Sequence, residues 1–111
     1  MQRSCDLMLG VPFNIASYGL LLSLLCKESG LKPGNLTGVL VDCHIYENHI
    51  LAAKEQCKRE LEGYRTLPNL TIYDKSSLYQ ESYFDIFEWT HEDILLENYN
   101  PHPKLEMEIA I

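Results

Sequence analysis

A chain of 111 residues is a single domain at most, with room for a core but only a modest margin from burying it. Its hydrophobic fraction of 46% is that of a globular chain rather than a disordered one. A formal charge of −7, with no basic stripe, excludes a general nucleic-acid binder, because phosphate contacts need clustered Lys and Arg.

The first element begins after a polar stretch, "QRSCD", and reads as a helix over residues 11–29. "VPFNIASYGLLLSLLC" is apolar almost all round, which predicts a central, buried helix. Ser17, Gly19 and Ser23 interrupt it, and it is too short for a bilayer span, so no membrane is expected. Arg3 and Asp6 precede it and no small-residue cleavage site follows, so no export signal is read. The four cysteines Cys5, Cys26, Cys43 and Cys57 show no paired short spacing; reduced thiols and a cytoplasmic protein are the expectation.

Gly30 is a predicted helix C-cap, and "LKPGN" makes the turn after it. "LTGVLVDCHIY" alternates with period two, so Val39, Val41, Cys43 and Ile45 fall on one face, with Asp42, His44 and Tyr46 on the other. A second helix is predicted over residues 48–61, with Ile50, Ala53, Cys57 and Leu61 as its apolar stripe and Gly63 as its end. "LPNLTIYD" reads as a short strand after a proline turn. The stretch 75–87 has no clear pattern. "THED" has capping-box spacing, Thr90 to Asp93, before a predicted strand in "ILLENY". "NPHP" forces an extended corner, and the tail "KLEMEIAI" alternates again. Helices and strands mixed in one short chain give an α+β class. The first helix wants apolar neighbours on every side, and the other elements scarcely provide them, which points to a piece of a larger protein or a tightly held partner.

Taken singly, the polar residues around the first helix have ordinary explanations: a surface Arg, an Asn satisfying a helix start, a core His. Together they describe a nucleotide monophosphate site. Arg3 is a forked cation suited to phosphate, with the Ser4 hydroxyl beside it. Asn14 offers both donor and acceptor to a nucleobase edge, and His44 and Tyr46 on one strand face reach a sugar hydroxyl. A metal site is the rival, but His44 and His49 in "HIYENH" are five residues apart where the helical metal pair needs four. No glycine-rich phosphate loop and no Ser-His-Asp order occur. Of the four cysteines, Cys5 stands near Arg3, the cationic context that suits a reactive thiol.

"QRSCD" with "LGVPFNIASY" resembles the signature of the thymidylate synthases. The likeness continues through "DCHIYENH", "QCKRE", "LPNL", "EDI", "ENYNPHP" and the closing "EMEIAI", and is loose only over residues 73–89. The resemblance implies the C-terminal portion of that α+β fold, a long buried helix packed on a mixed β-sheet, with residues 1–111 as one partial domain. It implies reductive methylation of dUMP to dTMP, with 5,10-methylenetetrahydrofolate as one-carbon and hydride donor, no metal, and a homodimer. By position, Arg3 and Ser4 would hold the dUMP phosphate, Asn14 the uracil edge, and His44 and Tyr46 the deoxyribose hydroxyl. Asp6 would line both the pyrimidine and folate sites, and Leu9, Gly10 and Phe13 the cleft wall. The Ile111 carboxylate would close over the ligands.

The family's nucleophilic cysteine stands in a Pro-Cys-His segment, which none of the four cysteines here matches. The N-terminal loop arginine and the partner subunit's two phosphate arginines are not in this chain either. The resemblance therefore implies a fragment, inactive alone, that needs the missing N-terminal part in cis or in trans. A dUMP or dCMP hydroxymethylase shares the motif and stays open, although Asn14 suits uracil O4 better than a cytosine amine. A non-catalytic remnant also stays open, against the observation that Arg3, Asn14, His44 and Tyr46 are all present.

Overall fold

The computed structural model describes residues 1–61, 65–73, 87 and 89–109. The chain divides into two compact units, one of Met1–Gly19, Leu36–Arg65 and Pro101–Ile111, the other of Leu20–Asn35 and Thr66–Asn100.

In the first unit, β1 (Gln2–Asp6) pairs in parallel with β2 (Leu40–His44), in the register Gln2↔Leu40, Ser4↔Asp42, Cys5↔Cys43, Asp6↔His44. Two further backbone bonds, Gln2 N–H to Val39 C=O at 2.8 Å and Leu7 N–H to His44 C=O at 3.0 Å, frame the ladder. Helix α1 (Val11–Glu28) starts after a tight turn and α2 (Ile50–Leu61) after a 3-10 turn at Glu47–His49. The expected end of α2 at Gly63 lies outside the described residues. In α2, Cys57 is exposed although it belongs to the predicted apolar stripe.

In the second unit, β3 (Asn69–Ile72) and β4 (Ile94–Glu97) form an antiparallel pair from Asn69↔Glu97 to Ile72↔Ile94. The expected capping box before β4 is present: the Thr90 amide and hydroxyl both donate to Asp93 Oδ2 at 2.8 Å. The Asp93 carbonyl then accepts from Tyr73 N–H at 2.9 Å, extending the pairing. Trp89 Nε1–H donates to Glu28 Oε2 at 3.4 Å.

The end of α1 follows the sequence closely. Gly30 has φ +68°, Leu31 N–H donates to Cys26 C=O at 2.8 Å, and Gly30 N–H donates to Lys27 C=O at 3.3 Å. These are the two bonds of a Schellman cap, which needs a left-handed residue after the helix.

Three expectations are corrected. The helix is not buried: among its residues only Val11 and Cys26 are buried, while Phe13 is 67% and Tyr18 60% exposed. An apolar surface all round cannot be covered by the two two-stranded sheets and one amphipathic helix of the described residues. The sheet is not mixed: the described strands form one parallel pair and one antiparallel pair. The alternating tail forms no strand among the described residues, because alternation supplies a face but no partner edge. The strand β1, absent from the sequence reading, forms despite its polar side chains because β2 offers it an edge.

Two outcomes follow. Exposed Phe13, Ile15, Tyr18, Leu21 and Leu25 make an apolar surface that associates. Light scattering on the chain should give a mass above the 12.8 kDa of one copy, falling toward it in Tyr18→Lys; a monomer at all concentrations would contradict this. Gly30→Ala places a Cβ at positive φ and should cost about 1 kcal/mol, read as a lower Tm.

Candidate functional site

The site residues of the first unit are placed by β1, the turn after it, the start of α1 and the end of β2. Successive strand residues leave on opposite faces, so the register puts Gln2, Ser4, Asp6, Asp42 and His44 on one face. Arg3 leaves on the other, with Cys5 and Cys43. Arg3 and Ser4 are both exposed, and Arg3 makes no ion pair among the described residues.

Asp6 builds the turn. Its Oδ1 accepts from Met8 N–H at 3.0 Å and Leu9 N–H at 3.3 Å, and its backbone C=O accepts from Gly10 N–H at 3.1 Å. A Cβ at position 10 would lie 3.0 Å from that carbonyl oxygen, which is why glycine stands there. Gly10 C=O then accepts from Asn14 N–H at 3.0 Å, in the first turn of α1.

Asn14 is held from the strand. Gln2 Nε2 donates to Asn14 Oδ1 at 2.8 Å and to Ser4 C=O at 3.0 Å, so one amide ties β1 to the helix start. The bond orients the Asn14 amide and leaves its Oδ1 a second lone pair for an incoming donor. Gln2 and Asn14, with Ile15, Tyr18 and the 36–40 stretch, line a cavity of about 570 Å³. Gln2, the first residue of "QRSCD", was not foreseen as a site residue, because nothing in the sequence pairs it with Asn14.

At the end of β2, His44 Nδ1 lies 3.1 Å from Asp42 C=O and 4.0 Å from Asp42 Oδ2. A carbonyl only accepts, so Nδ1 carries the hydrogen and Nε2 is left as an acceptor. The His44 and Tyr46 rings meet edge to face with centroids 5.1 Å apart, and Tyr46 meets His49 likewise at 5.9 Å. His49 is completely buried, and its Nε2–H donates to Glu108 C=O at 2.6 Å, beside a second donation from Asn48 Nδ2 at 3.2 Å. Its Nδ1 is buried without a partner. The five-residue spacing of His44 and His49 did not suit a helical metal pair, and their rings are joined through Tyr46.

Asp6 and His44 are thus strand neighbours, Asn14 is tied to the same face, and Leu9, Gly10 and Phe13 follow in the turn and first helical residues. Neither Arg3, Ser4, His44 nor Tyr46 lines the cavity that Asn14 borders. Ile111 lies outside the described residues. No described helix is long and apolar enough to cross a membrane.

A small α+β chain with an amide, a hydroxyl, a carboxylate and an imidazole gathered by one parallel strand pair has the makings of a nucleotide-handling enzyme. The sequence model of the family described as Thymidylate synthase matches residues 1–111, and the chain belongs to that family. Its members are methyltransferases that bind dUMP and folate and use methylenetetrahydrofolate as co-substrate.

The buried His49 tests the local architecture. His49→Ala empties a filled site and removes the bond to Glu108, and should cost about 2–4 kcal/mol in urea unfolding. Faster carboxypeptidase trimming of the tail should accompany it.

Proposed function

We propose that this chain supplies the dUMP- and folate-binding residues of a thymidylate synthase that methylates dUMP reductively to dTMP. The observation that carries the reading is Asn14, its amide held by Gln2 at the rim of the cavity. The Oδ1 lone pair left by Gln2 accepts uracil N3–H, and Nδ2 donates to O4. Exposed Arg3 and Ser4 take the phosphate, the Arg3 guanidinium reaching round the strand edge. His44 Nε2 accepts from the deoxyribose hydroxyl, with the Tyr46 hydroxyl as its second partner. Asp6, Leu9, Gly10 and Phe13 form the cleft wall against the folate. Methylenetetrahydrofolate, as the second substrate, brings the one-carbon unit and the hydride.

No cysteine of this sequence stands in a Pro-Cys-His segment, so the thiolate that attacks uracil C6 comes from outside these 111 residues. In this reading the chain is inactive alone and works with an N-terminal part, in cis or in trans, within a cytoplasmic homodimer. The exposed apolar surface of α1 and the open faces of β2 support such packing.

The test is complementation. The chain is mixed with the separately expressed N-terminal part of a related synthase, and dihydrofolate formation is followed from dUMP and methylenetetrahydrofolate. Activity should need both pieces and fall at least about a hundredfold in Asn14→Ala or Arg3→Ala, the loss of roughly 3 kcal/mol expected for charge-assisted or buried polar contacts. Asn14→Asp should shift preference toward dCMP, because a carboxylate accepts from the cytosine amine but cannot donate to O4. A pair shown to associate yet yielding no dTMP would overturn the proposal.

A further inference from the structure

The parallel register sets Cys5 directly beside Cys43. Side chains of paired residues leave from the same face, and a strand spacing of about 4.8 Å lies within the Cα separation of about 4.4–6.8 Å that a disulfide spans. The two thiols differ in access. Cys5 is completely buried, its S–H donating to Gln2 C=O at 3.4 Å, whereas Cys43 is exposed. The Cys43 thiol is raised above its ordinary pKa, by desolvation first, then by the neighbouring Cys5 and by Asp42. Cys26 and Cys57 lie on helices, outside this register.

We propose that Cys5 and Cys43 are a reversible redox pair, joined as a cross-strand disulfide by exchange with a small-molecule disulfide. Access fixes the order of steps. Cys43 gives its proton to solvent, and the thiolate attacks one sulfur of the small disulfide. A mixed S–S bond forms, and one small thiolate leaves and is protonated. Cys5 then loses its proton, attacks Cys43 Sγ and expels the second small thiolate. Two protein thiols are oxidised, and one small disulfide is reduced to two thiols.

The Cβ separation of a disulfide, about 3.8 Å, is shorter than the spacing of parallel strands. The bond therefore draws β1 toward β2 and is readily reduced again, as strained disulfides are. Ser4, Asp6 and His44 occupy the opposite face of the same two strands, so their spacing changes with it. The proposal needs only the two thiols and does not rest on the nucleotide reading.

The test exposes the full chain to oxidised glutathione, blocks remaining thiols with an alkylating reagent under denaturing conditions, and maps peptides by mass spectrometry. The expected product is a single polypeptide lighter by two hydrogens before blocking, two of the four thiols protected, and one cross-linked peptide pair containing Cys5 and Cys43. Dithiothreitol should reverse it. Cys43→Ser, at an exposed position, should abolish the cross-link, and Cys57→Ser should leave it. The rate should rise roughly tenfold per pH unit while Cys43 stays mostly protonated. A stable glutathione adduct on Cys43 with Cys5 still alkylated, or a cross-link through Cys26 or Cys57, would overturn the proposal. Should Cys43→Ser fail to fold, the wild-type cross-linked peptide decides alone.

Discussion

Everything at the site depends on the pairing of β1 with β2. Residues 2–6 and 40–44 are separated by the whole of α1, and only their parallel ladder brings them side by side. Without it, Asp6 and His44 share no neighbourhood, and Gln2 has no fixed place from which to hold Asn14. Such a ladder has a loop-closure cost paid before any local contact compensates it. The two flanking backbone bonds, at Val39 and at Leu7, lengthen the ladder at both ends and so confine its register. A slip of one residue would turn Ser4, Asp6 and His44 to the other face at once.

The same pairing leaves much of the surface around it uncovered. Parallel strands are ordinarily covered on both faces, yet every residue of β2 before His44 is exposed. The helix that β1 leads into is likewise uncovered, with Phe13, Ile15 and Tyr18 all more than half exposed. Sequence hydrophobicity alone cannot distinguish a helix covered by its own chain from one covered by another surface, because both carry the same side chains. What decides is the area the remaining elements can offer, and here α2 has a single apolar stripe.

The legible parts of the sequence were those with a local cause. The C-cap of α1 was visible because one glycine must supply a left-handed φ, and the turn at Thr90 because a hydroxyl and a carboxylate three residues apart satisfy each other. The period of two around Asp42 and His44 gave β2 and its polar face. The failures were non-local. β1 has no apolar alternation to reveal it, and its existence depends on an edge almost forty residues away. The Gln2 to Asn14 bond cannot be read from either residue, since it exists only after the ladder forms. Cys5 and Cys43 likewise have no short spacing to pair them; the register does so. The alternating tail shows the converse, a pattern without the partner that would make it a strand.

The buried imidazole of His49 links the last of these to the site. A neutral imidazole has one hydrogen, and a carbonyl acceptor at Glu108 claims it for Nε2, so Nδ1 must be the lone-pair side. That nitrogen is buried without a donor, a local cost of the kind a fold accepts only where another contact offsets it. The offset is visible: Asn48 adds a second bond to the same carbonyl, and the Tyr46 ring packs edge to face on the imidazole. Reversing the tautomer would satisfy nothing and break the tail contact, so the ring is fixed in one state. Tyr46 therefore stands between two histidines of different character. On one side His44, half-exposed, keeps Nε2 free to accept; on the other His49, fully buried, is committed to holding residue 108. Anything that moves the Tyr46 ring acts on both, and this makes the 44–49 stretch the joint between the polar face of β2 and the anchoring of the tail.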